Sequence, residues 1–203
     1  MTKTETLMAD LEEASRIAKA GENTPLVGGP IGLMWGVLLT TTFSIHYLIL
    51  ERILPVPEWS FAILWIGFAV IGGLGSAILG PKVGKKPGAY STANRVENNI
   101  WVMFTAAIGS VAFGVLLNLF LAGGSHELWT IILIMGFAGQ GLAYGVIAKM
   151  TGHGWLHFAS FAGCTMAAVT MSFYGQNVIY LIAAIGSIIT IIIPSVLSMK
   201  AAR

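Results

Sequence analysis

Six apolar stretches, each close to twenty residues long, fill the chain between Pro25 and Met199 and leave few ways for it to fold. They are residues 30–54, 59–80, 98–121, 128–150, 155–173 and 178–199. Crossing the roughly 30 Å hydrocarbon core of a bilayer takes about 20 helical residues. A water-soluble chain of 203 residues cannot hide six such segments. Charge is scarce to match. Only 10% of residues are Asp, Glu, Lys or Arg, 56% are hydrophobic, and the mean hydropathy is +0.80; soluble domains carry about 25% charged residues. Backbone groups in lipid must bond within their own segment, which makes these stretches helices. The connections at 55–58, 122–127, 151–154 and 174–177 are short, and short connections join antiparallel neighbours. The expected fold is therefore all-α: a polytopic membrane protein with six transmembrane helices arranged as three antiparallel hairpins.

Between the second and third stretches lies the one long hydrophilic break, Pro81 to Asn99, which contains Lys82, Lys85, Lys86 and Arg95. Cationic loops stay on the cytoplasmic side. With a cytoplasmic N-terminus, ten of the eleven Lys and Arg residues fall on that side, and Arg52 alone lies opposite. The chain is accordingly expected in a bacterial inner membrane with both termini cytoplasmic. Trp59, Trp101, Trp129 and Trp155 lie near the span ends, where amphipathic rings prefer to sit. The net charge of +2 is explained by this topology and does not call for a nucleic-acid partner.

Residues 1–24 are polar, have no hydrophobic run of the kind found in cleavable signal peptides, and read as a short cytoplasmic amphipathic helix preceding a membrane domain over 25–203. Leu7, Leu11, Ala14 and Ala18 share one helical face. Asp10, Glu12 and Glu13 lead while Arg16 and Lys19 trail, which complements the helix dipole. Lys82, Lys85 and Lys86 are candidates for contacting lipid head groups or for docking the N-terminal acids.

Lipid tails solvate Leu and Ile as well as protein does, so helix association in membranes relies on close approach at small residues. Ladders of this kind run along five of the six spans: Gly28, Gly32, Gly36 and Thr40; Ala69, Gly73 and Ala77, beside Gly72, Ser76 and Gly80; Ala106, Ser110 and Gly114; Gly141 and Gly145; and Ser160, Cys164, Ala168 and Ser172, beside Ala159, Gly163 and Ala167. Gly32, Gly36, Gly73, Gly114, Gly141, Gly145 and Gly163 are the candidate packing positions, either within the bundle or against another chain.

Polar groups at membrane depth are costly and mark functional sites. His46, Asn118 and Gln140 form a candidate polar path, and no span carries an ionisable group near its centre. His153 and His157 have i, i+4 spacing, but Gly152 and Gly154 argue that the helix starts after His153, and the motif lacks the Glu of HExxH. They are read as interfacial histidines. Cys164 is the sole cysteine, which rules out an intrachain disulfide. No paired carboxylates and no GxSxG appear, and GPKVGKKPG departs from a phosphate-binding loop in spacing and final residue. No catalytic residue, metal site or cofactor is expected. The leading expectation is a non-enzymatic accessory, scaffold or self-assembling subunit, with membrane lipid and either further copies or another membrane protein as partners. A small-solute transporter or channel is the alternative, and a histidine-centred redox protein or enzyme is the third reading.

Overall fold

A computed structural model describes residues 7–12, 24–125 and 127–202. Among these every regular element is helical. The elements are α1 (Gly29–Leu50), α2 (Ser60–Gly84), α3 (Thr92–Ala122), α4 (Leu128–Thr151), α5 (Leu156–Ser172) and α6 (Val178–Ala201). Five are long and apolar enough to cross a membrane; α5, with 17 residues, is shorter. Of the N-terminal amphipathic helix, residues 7–12 are helical and exposed, and the remainder of 1–23 lies outside the described residues.

The hydrophilic break is much shorter as structure than as sequence. Pro81–Gly84 continue α2 and Thr92–Asn99 open α3, so residues 85–91 alone connect them. Loss of hydropathy marks where a helix leaves lipid, not where it stops. α3 begins at a true start signal instead: Ser91, extended at φ −61° and ψ 159°, accepts the Asn94 N–H with its side chain. At the other end Gly123 closes α3 in the left-handed conformation, φ 63°.

α6 is not uniform. Residues Ile188–Ile192 widen into a π-helical turn just before Pro194. Proline lacks an N–H and crowds the carbonyl four residues earlier, here that of Thr190. A local π register relieves that crowding within a continuous helix.

The neighbours run in the order α2, α1, α6, α5, α4, α3. One core gathers Phe43 of α1, Leu133 and Phe137 of α4, and Ile179, Ala183 and Ala184 of α6. A second joins Ala93, Tyr144, Ile147, Ala148, Leu156 and Ala159 around Leu26. α2 packs on α1 and α3 packs on α4. Along their apolar lengths only 6% of residues in each are buried, against 44% in α4 and 50% in α6.

The candidate glycines divide accordingly. A methyl group at Gly163 would fall 2.7 Å from the Gly141 nitrogen, and one at Gly141 would fall 2.8 Å from the Cys164 nitrogen, so the backbones of α4 and α5 touch there. Gly145 meets Ser160 of α5, Gly32 meets Ser195 of α6, and Gly36 meets Ile191 and Ile192. Around Gly73 and Gly114, by contrast, nothing among the described residues lies within 4 Å of an added methyl. Gly163→Ala should therefore destabilise the protein by about 1–3 kcal/mol, the usual cost of overpacking, whereas Gly114→Ala should be neutral or stabilising by up to about 1 kcal/mol. Unfolding of both variants in a mild detergent measures the contrast.

Candidate functional site

The densest polar constellation surrounds a non-helical strap, residues 24–28, which enters α1. Irregular backbone near a membrane needs a partner for every N–H and C=O. Asn94, only 3% exposed, supplies two of them. Its Oδ1 accepts the Val27 N–H at 2.8 Å. Its Nδ2 donates to Pro25 O and Gly88 O, both at 3.0 Å, and lies 3.1 Å from Ser91 Oγ. Ser198, near the end of α6, donates to Leu26 O at 3.0 Å. The Glu97 carboxyl group accepts the Gly28 N–H at the start of α1. Leu26 meanwhile sits 3% exposed in the core between α3, α4 and α5. One short segment thus ties α1, α3, α6 and the 85–91 connection together.

This clasp is what sequence reasoning missed. From sequence, Ser91–Asn94 reads as a cap for the third span with Glu97 in its first turn. In the structure Ser91 is the cap, Asn94 donates its N–H to it, and Glu97 lies beyond the first turn. The larger role of Asn94 and Glu97 depends on a segment nearly seventy positions away, and local patterning holds no signal for it. The only available hint was an amide and a carboxylate three residues apart at a span's edge.

His46, Asn118 and Gln140 fall in three different settings. His46 Nδ1 accepts the Trp65 Nε1–H at 3.0 Å, which leaves its proton on Nε2. Its ring stacks on Tyr180 at 3.8 Å and 18°, with Phe61 at 4.5 Å. It is an aromatic-clad joint between α1, α2 and α6. Gln140 is buried, and its Oε1 accepts from Thr190 Oγ1 at 3.1 Å. That bond ties α4 to the π turn of α6. Asn118 is exposed on α3, and its carbonyl receives the closing N–H groups of the helix end, including that of Gly124 at 3.2 Å. No hydrogen bond joins any of the three to another.

His153 lies in the turn before α5, within hydrogen-bonding distance of the Thr151 carbonyl at 2.9 Å, while His157 is exposed on the helix. The two do not share one helical face, as the flanking glycines imply. Among the described residues no three His, Cys, Asp or Glu side chains gather in a form that could hold a metal ion. Trp101, expected at an interface, is packed edge-on against Tyr144 at 5.0 Å and 77° because α3 starts earlier than its apolar stretch.

The strap also defines one end of the bundle. Lys82, Lys85, Lys86, Arg95, Lys149 and Lys200 lie at that end, with the partly buried Glu97. At the opposite end, where Asn177 donates to Glu51 at 3.0 Å, stand Glu51, Arg52, Glu58 and Glu127. Lys82, Lys85 and Lys86 are all exposed.

Comparison with protein-family models, with curated proteins and with solved structures finds no match. What the arrangement can do must be read from its own contacts. Asn94→Ala should strand the Val27 N–H and the Pro25 carbonyl and destabilise the protein by about 2–3 kcal/mol. It should also expose residues 24–28 to protease in detergent. Unchanged unfolding and unchanged cleavage would show that the clasp carries little of the fold.

Proposed function

We propose that the chain crosses a bacterial inner membrane six times, as three antiparallel hairpins with both termini cytoplasmic. It works without catalysis there, as a self-assembling subunit whose partner is a second copy of itself. The observation that carries the reading is the division of the small-residue ladders. The glycines of those on α1, α4 and α5 meet neighbouring helices inside the bundle, although Cys164, Ala168 and Ser172 of α5 stay exposed. Ala69, Gly73 and Ala77 of α2, and Ala106, Ser110 and Gly114 of α3, are all exposed. Since small residues promote association only by admitting another backbone, these two helices present the faces suited to a partner helix.

The orientation draws its support from charge. Six cations crowd the strap end, and Arg52 is the one cation among the described residues at the other. Positive residues are retained on the cytoplasmic side. At 1.5 Å per residue α5 spans about 26 Å, close to the hydrocarbon thickness. A transport path draws less support, because Gln140 bonds Thr190 and His46 bonds Trp65, and nothing links the two pairs. A histidine redox centre draws less support too, because His46 lies between α1, α2 and α6 while His153 and His157 stand at the junction of α4 and α5.

Two measurements test the reading. Energy transfer between differently labelled copies in liposomes should reveal association, and Gly73→Leu combined with Gly114→Leu should weaken it at least about tenfold while unfolding stays unchanged. Copies that remain monomeric at high protein-to-lipid ratio would overturn self-assembly. For topology, with Cys164→Ala as background, an impermeant maleimide applied to intact cells should label Glu127→Cys and spare Lys86→Cys. The reverse pattern would invert the orientation.

A further inference from the structure

The outer side of the α4–α5 crossing holds a shallow groove of about 410 Å³. Gly141 and Gly145 of α4 and Ser160 and Cys164 of α5 line it, Val146 flanks it, and Lys149 closes one end. The groove exists because the glycines that let the two helices touch leave no side chain above the crossing. Ser160 Oγ is turned inward, donating to Gly141 O at 2.7 Å, so the surface offered to the outside is almost wholly apolar. Lys149 is exposed in the last turn of α4, and no ion pair engages it among the described residues.

Length decides what fits. From Gly141 to Lys149 the helix rises about 12 Å, close to the ~15 Å of a single leaflet. A partner's transmembrane helix would call for a channel running the full ~30 Å. An acyl chain ends near the bilayer centre and begins at a head group, which is the pattern of this groove: apolar at its inner end and cationic at its outer end. A basic residue closing an interhelical pocket at head-group depth is suited to an anionic lipid phosphate.

We propose that this groove is a binding site for an anionic phospholipid. One acyl chain lies over Gly141, Gly145, Ser160 and Cys164, and the phosphate pairs with Lys149. The site lies on α4 and α5 and is independent of the exposed ladders on α2 and α3.

The test is native mass spectrometry of the full-length protein, given phosphatidylglycerol and phosphatidylcholine of identical acyl chains. Wild type should retain phosphatidylglycerol about fivefold better, the effect of one lysine at an anionic surface. Lys149→Gln should remove that preference while leaving phosphatidylcholine retention unchanged, and Lys149→Arg should keep it. Val146→Trp, which fills the groove from its exposed flank, should lower retention of both lipids. Three results would overturn the proposal. One is equal retention of the two lipids by wild type. Another is a preference that survives Lys149→Gln. The last is high-yield oxidative cross-linking of Cys164 between copies, which would make this side an interface between chains. Loss of association through α2 and α3 would leave all of these readouts unaffected, so the two proposals fail separately.

Discussion

Gly141 and Gly163 bring the backbones of α4 and α5 into direct contact, and the rest of the bundle depends on that contact. In water, two helices with large apolar faces would be driven together by burial; in lipid the same faces gain little, because acyl chains solvate them equally well. Dispersion at close range and hydrogen bonds between backbones and small side chains are what remain. The α4–α5 crossing has both. The missing side chains allow the approach, and Ser160 converts it into a 2.7 Å bond to the Gly141 carbonyl. With α4 and α5 joined, Phe137 of α4 and Met166 of α5 converge over Gly186 of α6, and α1 closes on α6 through Gly29, Gly32 and Gly36.

A different constraint governs the strap end. Residues 24–28 carry peptide groups that no helix satisfies, and they lie among packed helices where water cannot serve all of them. Each of the partners, Asn94, Glu97 and Ser198, comes from a different stretch of sequence than the strap itself. Satisfying the strap therefore also fixes how α3 and α6 sit relative to the start of α1. α3, which is mostly exposed along its length, is held at its first two turns by this network and by Trp101 and Phe104 against α4. Polar satisfaction does at this end what glycine packing does at the centre.

The positions of the helices were legible in the sequence because hydropathy over twenty residues is a strong, local signal. Their ends were legible only where a cap residue stands, as at Ser91, and not where α2 runs on through Pro81 to Gly84. The small-residue ladders were legible as ladders, yet nothing in their spacing distinguished Gly163, pressed against α4, from Gly114 in open space. That difference depends on the order of helices around the bundle, which is a tertiary property. His46 and Gln140 stood out as polar residues in apolar stretches. Their partners Trp65, Tyr180 and Thr190 could not be named in advance, since each lies on another helix. The π turn before Pro194 had a local cause, but a kink and a π turn both answer the same crowding, so sequence did not choose between them.

α2 shows why the exposed ladders bear on function. The helix has two small-residue faces one position apart. Gly72 lies under the Trp35 ring, Gly75 under Met34, and Ser76 accepts the Trp35 Nε1–H at 3.0 Å. That face is occupied by α1, and its small residues are explained by the large side chains they admit. Ala69, Gly73 and Ala77 have the same four-residue spacing, and among the described residues no side chain lies over Gly73. A lipid-facing helix gains nothing from glycine there, because bulky side chains would make the same contacts with acyl chains. The occupied face demonstrates what such a ladder is able to receive, namely the large side chains and close backbone of another helix, and the empty one has the geometry to receive them from outside the chain.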